Sequence, residues 1–322
     1  MANHTAMDLM KAGREGTSLT RHHNPSARSG LLLALAGFSV LTMGDGVVKS
    51  MAGDWPASAI ASLRYVYGTV ALAIIIWARR GGSGFNCPKP GLQIARGAAV
   101  SLASISFFLG AQAMPLADAT SIQFTSPMFV ALLSPLILNE RATKVAITAT
   151  LLAFVGVVIV LRPNVLALGW PALFPVFAAL GMAFLVLFNR RSAGLADALT
   201  LQFWVAATAT PILIAATLIG HLSGVDILQM SMPSPLVMFK CAIVAVTGTV
   251  SHWLIYAATE RVSATVVAPM VYVQLLLAAT IGWLFFDDRI DLISALGMMI
   301  IISAGLWLWS HQRRPVIGGV PD

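Results

Sequence analysis

The sequence predicts an all-α membrane protein of ten transmembrane helices, arranged as two inverted five-helix repeats around a central cavity. Three observations point there. The chain is too apolar to clothe a soluble surface, its apolar segments come in bilayer lengths, and a stretch of its first half returns in its second. Of 322 residues, 58% are hydrophobic and 10% charged, whereas a soluble domain carries about 25% charged residues.

Residues 1–29 are polar, basic and short of large apolar groups, and are predicted as a disordered cytosolic tail. "LLLALAGFSVL", starting at Leu31, could open a signal peptide, but the apolar run continues to about Ser50 and many similar runs follow. It therefore reads as a first span rather than a cleaved leader. A bilayer core of about 30 Å takes about 20 helical residues. That length gives spans at roughly 30–50, 56–77, 91–113, 118–138, 145–161, 170–189, 197–219, 235–258, 264–286 and 290–310, the fifth being the shortest. Backbone groups in lipid must bond within their own segment, which favours helices. Connections such as "MAGDW" and "TERVS" are short enough to make successive helices antiparallel neighbours. The first repeat covers 30–161, the second 170–310, and 311–322 form another cytosolic tail.

Orientation follows from the basic residues. With the N-terminus inside, fifteen of the twenty Lys and Arg fall in cytosolic tails, loops and helix ends, and only Arg162 and Arg289 outside. Lys49, Arg64 and Lys240 lie within helices. This asymmetry places both termini in the cytoplasm of a cell whose inner membrane holds the protein. It also accounts for the net charge of +7 without a nucleic-acid partner.

"SISFFLGAQAMPLADAT" (104–120) and "TVSHWLIYAATERVSAT" (249–265) align at a separation of 145 (249 − 104), with Phe107 standing opposite His252. The fourth span ends in "NER" (Asn139–Arg141) and the ninth in "DDR" (Asp287–Arg289). A Gly-bearing helix follows each, with Gly156 sixteen residues past Glu140 and Gly305 seventeen past Asp288. Because five is odd, a repeated five-helix unit is inverted in the membrane, an architecture of transporters with substrate bound between the halves.

Enzymatic and ATP-driven functions find no support. The chain carries no phosphate-binding loop, metal-ligand cluster or nucleophile motif, and "GDG" (44–46) lacks a strand–turn–helix context. Cys87 and Cys241 show no metal spacing and predict no disulfide. The "NHT" sequon at Asn3 sits in the predicted cytosolic tail. No cofactor is expected.

Arg64 in "SLRYVYGTVALA" and the run "PLADATSIQFTSPMFVALLSPLILNER" carry a resemblance to the drug/metabolite transporter superfamily, EamA type. It covers residues 30 to 310 and is most like the aromatic amino acid exporter branch. The resemblance implies a basket of ten helices with a central cavity, and export of amino acids or related metabolites. "DDR" departs from the family's usual glutamate, and Gln274 stands near an expected proline.

The candidate substrate-binding residues are Ser104, Phe108, Gln123, Pro127, Thr249, His252, Trp253, Tyr256 and Gln274. Thr249, His252, Trp253 and Tyr256 follow i, i+3, i+4, i+7 spacing and share a helix face; Ser101, Ser104 and Phe108 mirror them in the third span. Pro127, Pro135 and Pro269 remove backbone hydrogen bonds and so predict kinks, with Pro127 the more consequential of the first two. Packed aromatics, a histidine bonded to a neighbouring carbonyl and plain tolerance of proline are the competing structural readings. Counted from the outer end, His252 falls toward the cytosolic half. Asp45, Lys49 and Arg64 form a charge pair or gate: Asp45 could pair with Lys49 four residues on, or with Arg64 while Lys49 snorkels outward. Lys240 and Arg96 read as snorkelling anchors.

A nearly neutral, aromatic-rich pocket suits a zwitterion. The function read from the sequence is gradient-driven export of amino acids and related metabolites by alternating access, by a monomer in the bilayer. The alternatives are proton-coupled export of lipophilic cations, with His252 or Asp45 as the proton site, and a non-transporting receptor or assembly subunit.

Overall fold

A computed structural model describes residues 25–138, 144–192, 194–259, 261 and 268–312. The described residues form helices α1 (Pro25–Lys49), α2 (Ala57–Arg80), α3 (Pro90–Ala113), α4 (Leu116–Gln123), α5 (Ser126–Leu138), α6 (Lys144–Leu168), α7 (Phe174–Ser192), α8 (Ala198–Leu222), α9 (Pro235–Thr259), α10 (Val273–Phe286) and α11 (Leu292–Gln312), with no strand among them. Eight apolar helical stretches are long enough to cross a bilayer. The predicted fifth and ninth spans fall on shorter apolar stretches, Ile147–Arg162 and Met270–Phe286. Both tails before Pro25 and after Gln312, and the "NER" acid Glu140, lie outside the described residues.

Local chemistry sets the helix ends. Pro90 opens α3, where its missing N–H costs nothing. Asp197 caps α8 by accepting from the amides of Leu199 (3.0 Å) and Thr200 (3.2 Å). Gly81, at φ +61°, ends α2 in the left-handed conformation that glycine adopts without a Cβ penalty.

The predicted fourth span is broken rather than kinked. Pro127 has no N–H for the Gln123 carbonyl, and α4 gives way to α5 through a turn at Phe124–Thr125. The Thr125 hydroxyl satisfies the Ile122 carbonyl at 2.7 Å. Pro135, by contrast, is accommodated inside α5. The predicted ninth span is also irregular: a 3₁₀ turn over Ala268–Tyr272, containing Pro269, precedes α10. The two irregular places meet, because the Phe124 and Tyr272 rings stack edge to face with centroids 5.6 Å apart.

Helix pairing gives the bundle its plan. α1 packs on α9, α3 on α7, α2 on α8 and α6 on α11. Glycines let these pairs close. A Cβ at Gly37 of α1 would lie 3.1 Å from the Ser251 carbonyl oxygen, and one at Gly181 of α7 would lie 2.6 Å from the Ala103 amide. α6 and α11 cross where Gly156 and Gly297 each face the other's carbonyl, 2.8 Å from where a Cβ would stand. Small residues are the usual means of bringing helices together in lipid, where neighbouring tails are as apolar as leucine.

That crossing corrects the glycine register read from the sequence. Gly156 and Gly297 take equivalent places in the contact, and Gly305 instead makes room for the Tyr272 ring. The similar acid-to-glycine spacings of sixteen and seventeen therefore joined two glycines with different jobs.

Candidate functional site

α1, α2, α3 and α9 converge on Arg64. Its guanidinium carbon lies 5.3 Å from the Tyr65 ring centroid and 5.5 Å from that of Phe108. On the α9 side, a Cβ at Gly248 would stand 2.7 Å from Nη2 of Arg64, so glycine is what admits the guanidinium. The same α9 surface touches α1, where a Cβ at Gly44 would lie 2.5 Å from Oγ1 of Thr247. Asp45, next along α1, is within electrostatic reach of Arg64. His252, one turn beyond Gly248, also feels the Arg64 charge.

His252 answers the question its position raised. Its Nδ1 lies 2.7 Å from the Gly248 carbonyl oxygen. A carbonyl can only accept, so Nδ1 carries the proton, and in a neutral imidazole Nε2 is left as an acceptor. The residue lies deep in the bundle, yet its side chain is exposed. Asp45 is similarly deep and only half-buried. Gly248 touches Arg64, and His252 is four residues further, about 6 Å along the helix.

Other site residues are placed as follows. Ser104 is buried with its hydroxyl 3.2 Å from the Tyr65 hydroxyl, and Phe108 is buried beneath Arg64. Thr249 is half-buried and donates to the Ala245 carbonyl at 2.9 Å. Trp253 sits about 100° round the helix from His252. At 65% exposed, it continues the stripe of Val246 and Val250, an apolar face suited to lipid. The Tyr256 side chain lies outside the described residues. Gln123, half-buried, ends α4, Pro127 is exposed near the start of α5, and Gln274 is buried at the start of α10. These three flank the Phe124–Tyr272 contact, and among the described residues no hydrogen bond or ring contact joins them to Arg64.

The charges pair differently from either sequence expectation. Lys49 neither pairs with Asp45 nor snorkels outward. It is buried, with Nζ 2.9 Å from Oδ2 of Asp288 and 2.7 Å from the Met114 carbonyl oxygen. Asp288 also accepts from the Leu116 amide at 3.1 Å. The end of α1, the α3–α4 turn and the segment after α10 are thereby tied together. Asp45 and Arg64 form no direct ion pair among the described residues.

Arg96 is no snorkelling anchor either. Only 4% exposed, it donates to Asn189 Oδ1 at 2.7 Å, to Gln93 and to the Leu201 carbonyl at 3.2 Å, stapling α3 to α7 and α8. Lys240 donates to the Ser50 carbonyl at 3.0 Å and lies 3.9 Å from Oδ2 of Asp54, both in the connection that follows α1. Sequence reasoning missed Gly248, Tyr65 and the Lys49–Asp288 tie. The mid-span glycine of "VTGTV" was the available signal for the first.

The EamA-like transporter family model matches this chain twice, over residues 28–162 and 169–310. The chain belongs to that family. It is 26% identical over 300 residues to a riboflavin transporter of Rhizobium johnstonii, covering 92% of this chain and 96% of the relative. An S-adenosylmethionine uptake transporter of Rickettsia prowazekii is 22% identical, with 89% and 94% covered. The pseudopaline exporter CntI of Pseudomonas aeruginosa is 24% identical, with 86% and 94% covered. The aromatic amino acid exporter branch is not among these relatives. A crystal structure of a protein at 16% identity superposes with a TM-score of 0.57 over 90% of this chain and 99% of its own, a likeness of fold. This family member is a multi-pass membrane transporter, and its homologues carry small molecules.

Proposed function

We propose that this transporter exports amino acids and related zwitterions across the inner membrane by alternating access, as a monomer, driven by a gradient rather than ATP. The carrying observation is the meeting of Asp45, Arg64 and His252 about Gly248, where α1, α2 and α9 come together. An acid and a base held apart there offer one partner to an ammonium and another to a carboxylate. Tyr65 and Phe108 add aromatic surface, so aromatic amino acids lead the candidates. One relative's cargo is of this kind, since S-adenosylmethionine carries a free α-amino acid group, whereas riboflavin is not. Because the relatives include both an uptake transporter and an exporter, the direction of net flux follows the gradient.

The ten-helix inverted repeat draws support from several sides. The family model matches each half. Exchanging the first five predicted spans for the last five turns the α1–α9 pair into α7–α3 and returns α2–α8 and α6–α11 to themselves. α6 runs for 25 residues, about 37 Å, enough to cross. Irregular spans meeting between the halves, as at Phe124 and Tyr272, are where such transporters rock.

The deciding experiment is counterflow of labelled amino acids in proteoliposomes, with and without an imposed pH gradient. Amino acid counterflow independent of the pH gradient is expected. Flux of a lipophilic cation such as tetraphenylphosphonium, dependent on that gradient, would install the proton-coupled reading instead; absence of all flux would favour a receptor. Orientation is checked by single cysteines at the exposed Ser223 and Ser83, after replacing Cys87 and Cys241. Ser223→Cys should label from outside and Ser83→Cys from inside.

A further inference from the structure

We propose that Arg64 is the carboxylate-binding residue of the cavity, so that cargo must carry a carboxylate. This rests on the amino acid transport reading and narrows it. The argument begins with the other cations within the spans. Lys49 is closed by Asp288 and the Met114 carbonyl, Arg96 by Asn189, Gln93 and the Leu201 carbonyl, and Lys240 by the Ser50 carbonyl. Arg64 alone among them makes neither an ion pair nor a hydrogen bond among the described residues.

Its surroundings hold it without using its donors. Tyr65 and Phe108 each present a ring within 5.5 Å of the guanidinium carbon, and Gly248 supplies a gap on the α9 side. Ring faces stabilise the cation but leave all five N–H groups unfilled. Ionised groups inside a membrane are costly and mark substrate paths when they persist. A guanidinium presents a planar fork that a carboxylate fills with two parallel hydrogen bonds. Lysine in the same place would offer a point charge and lose that fit.

The neighbours complete a zwitterion site. Asp45 is near enough to offset the Arg64 charge but does not pair with it, and so remains available to an ammonium. His252 has spent its Nδ1 proton on the Gly248 carbonyl, leaving Nε2 to accept from that same ammonium. The polarity of binding follows: carboxylate toward α2, ammonium toward α1 and α9.

The test compares L-phenylalanine with L-phenylalaninamide, which keeps the ring and ammonium but lacks the carboxylate, in counterflow on the full chain. S-adenosylmethionine and riboflavin, which lacks a carboxylate, complete the panel. Wild type should prefer phenylalanine over its amide by about tenfold or more, the worth of one charged hydrogen bond. Arg64→Gln should erase the preference, and Arg64→Lys should keep part of it. Gly248→Ala, whose methyl displaces the guanidinium, supplies a second variant if Arg64→Gln does not fold; it too should lose the preference. Retained preference in the folded variant, or equal flux of acid and amide in wild type, overturns the Arg64 assignment while amino acid transport stands. Flux of riboflavin alone, or of no probe, overturns the amino acid reading and this assignment with it.

Discussion

Residues 104–120 and 249–265, so alike in sequence, sit in opposite surroundings. In the first, Phe107 and Phe108 are buried, α3 lies hard against Gly181, and the Met114–Leu116 turn is tied to Lys49 and Asp288. In the second, His252 is exposed, and Gly248 just before it admits a flexible arginine where Ala103 meets a helix backbone. One copy is a wall and the other faces the work. The difference teaches that two helices alike in sequence can sit in unlike packing, set by a few positions.

The largest effect should come from breaking the wall at its outer end. Lys49→Met leaves the Asp288 carboxylate largely buried without its cation, and stranding one partner of a buried pair costs about 3–5 kcal/mol. Thermal unfolding in detergent should show that loss. Adding Asp288→Asn should recover much of it, because no charge is then stranded. Strictly additive losses in the double-mutant cycle would reject the coupling.

Next come the two glycines. An added methyl at Gly181 meets the Ala103 amide at 2.6 Å and the Ala99 carbonyl oxygen at 2.9 Å, both backbone. Overpacking of this sort costs roughly 1–3 kcal/mol, and Gly181→Ala should lower the unfolding temperature. At Gly248 the methyl meets only the flexible end of Arg64 at 2.7 Å. Gly248→Ala should therefore fold normally and lose the preference for phenylalanine over its amide. Equal destabilisation by both variants would erase the contrast between wall and working face.

How much of this was legible in the sequence depends on the length scale of the signal. Span positions were legible because bilayer thickness writes them into long apolar runs; at Pro127 the missing N–H predicted a kink where the structure has a break. The fourth span, though broken, keeps a crossing length over Leu116–Leu138, while the ninth shows Met270–Phe286 among the described residues. Charge partners were not legible. Lys49 and Asp288 are 239 positions apart (288 − 49), and only the folded bundle brings them to 2.9 Å; local spacing favoured Asp45 instead. Helical periodicity grouped Trp253 with His252, but a face of four residues spans more of the helix than one neighbour covers. The tryptophan therefore falls with Val246 and Val250.

A reciprocal exchange sharpens the comparison further. Phe107, 5% exposed, has no room for a hydrated imidazole. Phe107→His buries a polar ring without an assigned partner and should cost about 1–3 kcal/mol. His252→Phe should leave the unfolding free energy within about 0.5 kcal/mol of wild type, as for an exposed position without a special structural role, while amino acid counterflow falls. Matching stability losses in the two exchanges would mean that both positions are packed alike.

The smallest effect, and the most discriminating, belongs to His252→Gln. The imidazole divides its polar atoms: Nδ1–H donates to the Gly248 carbonyl and Nε2 remains to accept. A glutamine amide also combines a donor and an acceptor at one end, but they sit closer together and swing on a longer, freer chain. It can keep the Gly248 bond or meet the substrate ammonium well, and doing both at once requires a narrower set of rotamers. His252→Gln should therefore fall between wild type and His252→Phe in flux, with the loss carried by apparent affinity and the folded fraction unchanged. Counterflow measured over a range of phenylalanine concentrations separates the two parameters. Flux and affinity equal to wild type in both His252→Phe and His252→Gln would show that the histidine only packs, and would strip the ammonium end of the site to Asp45.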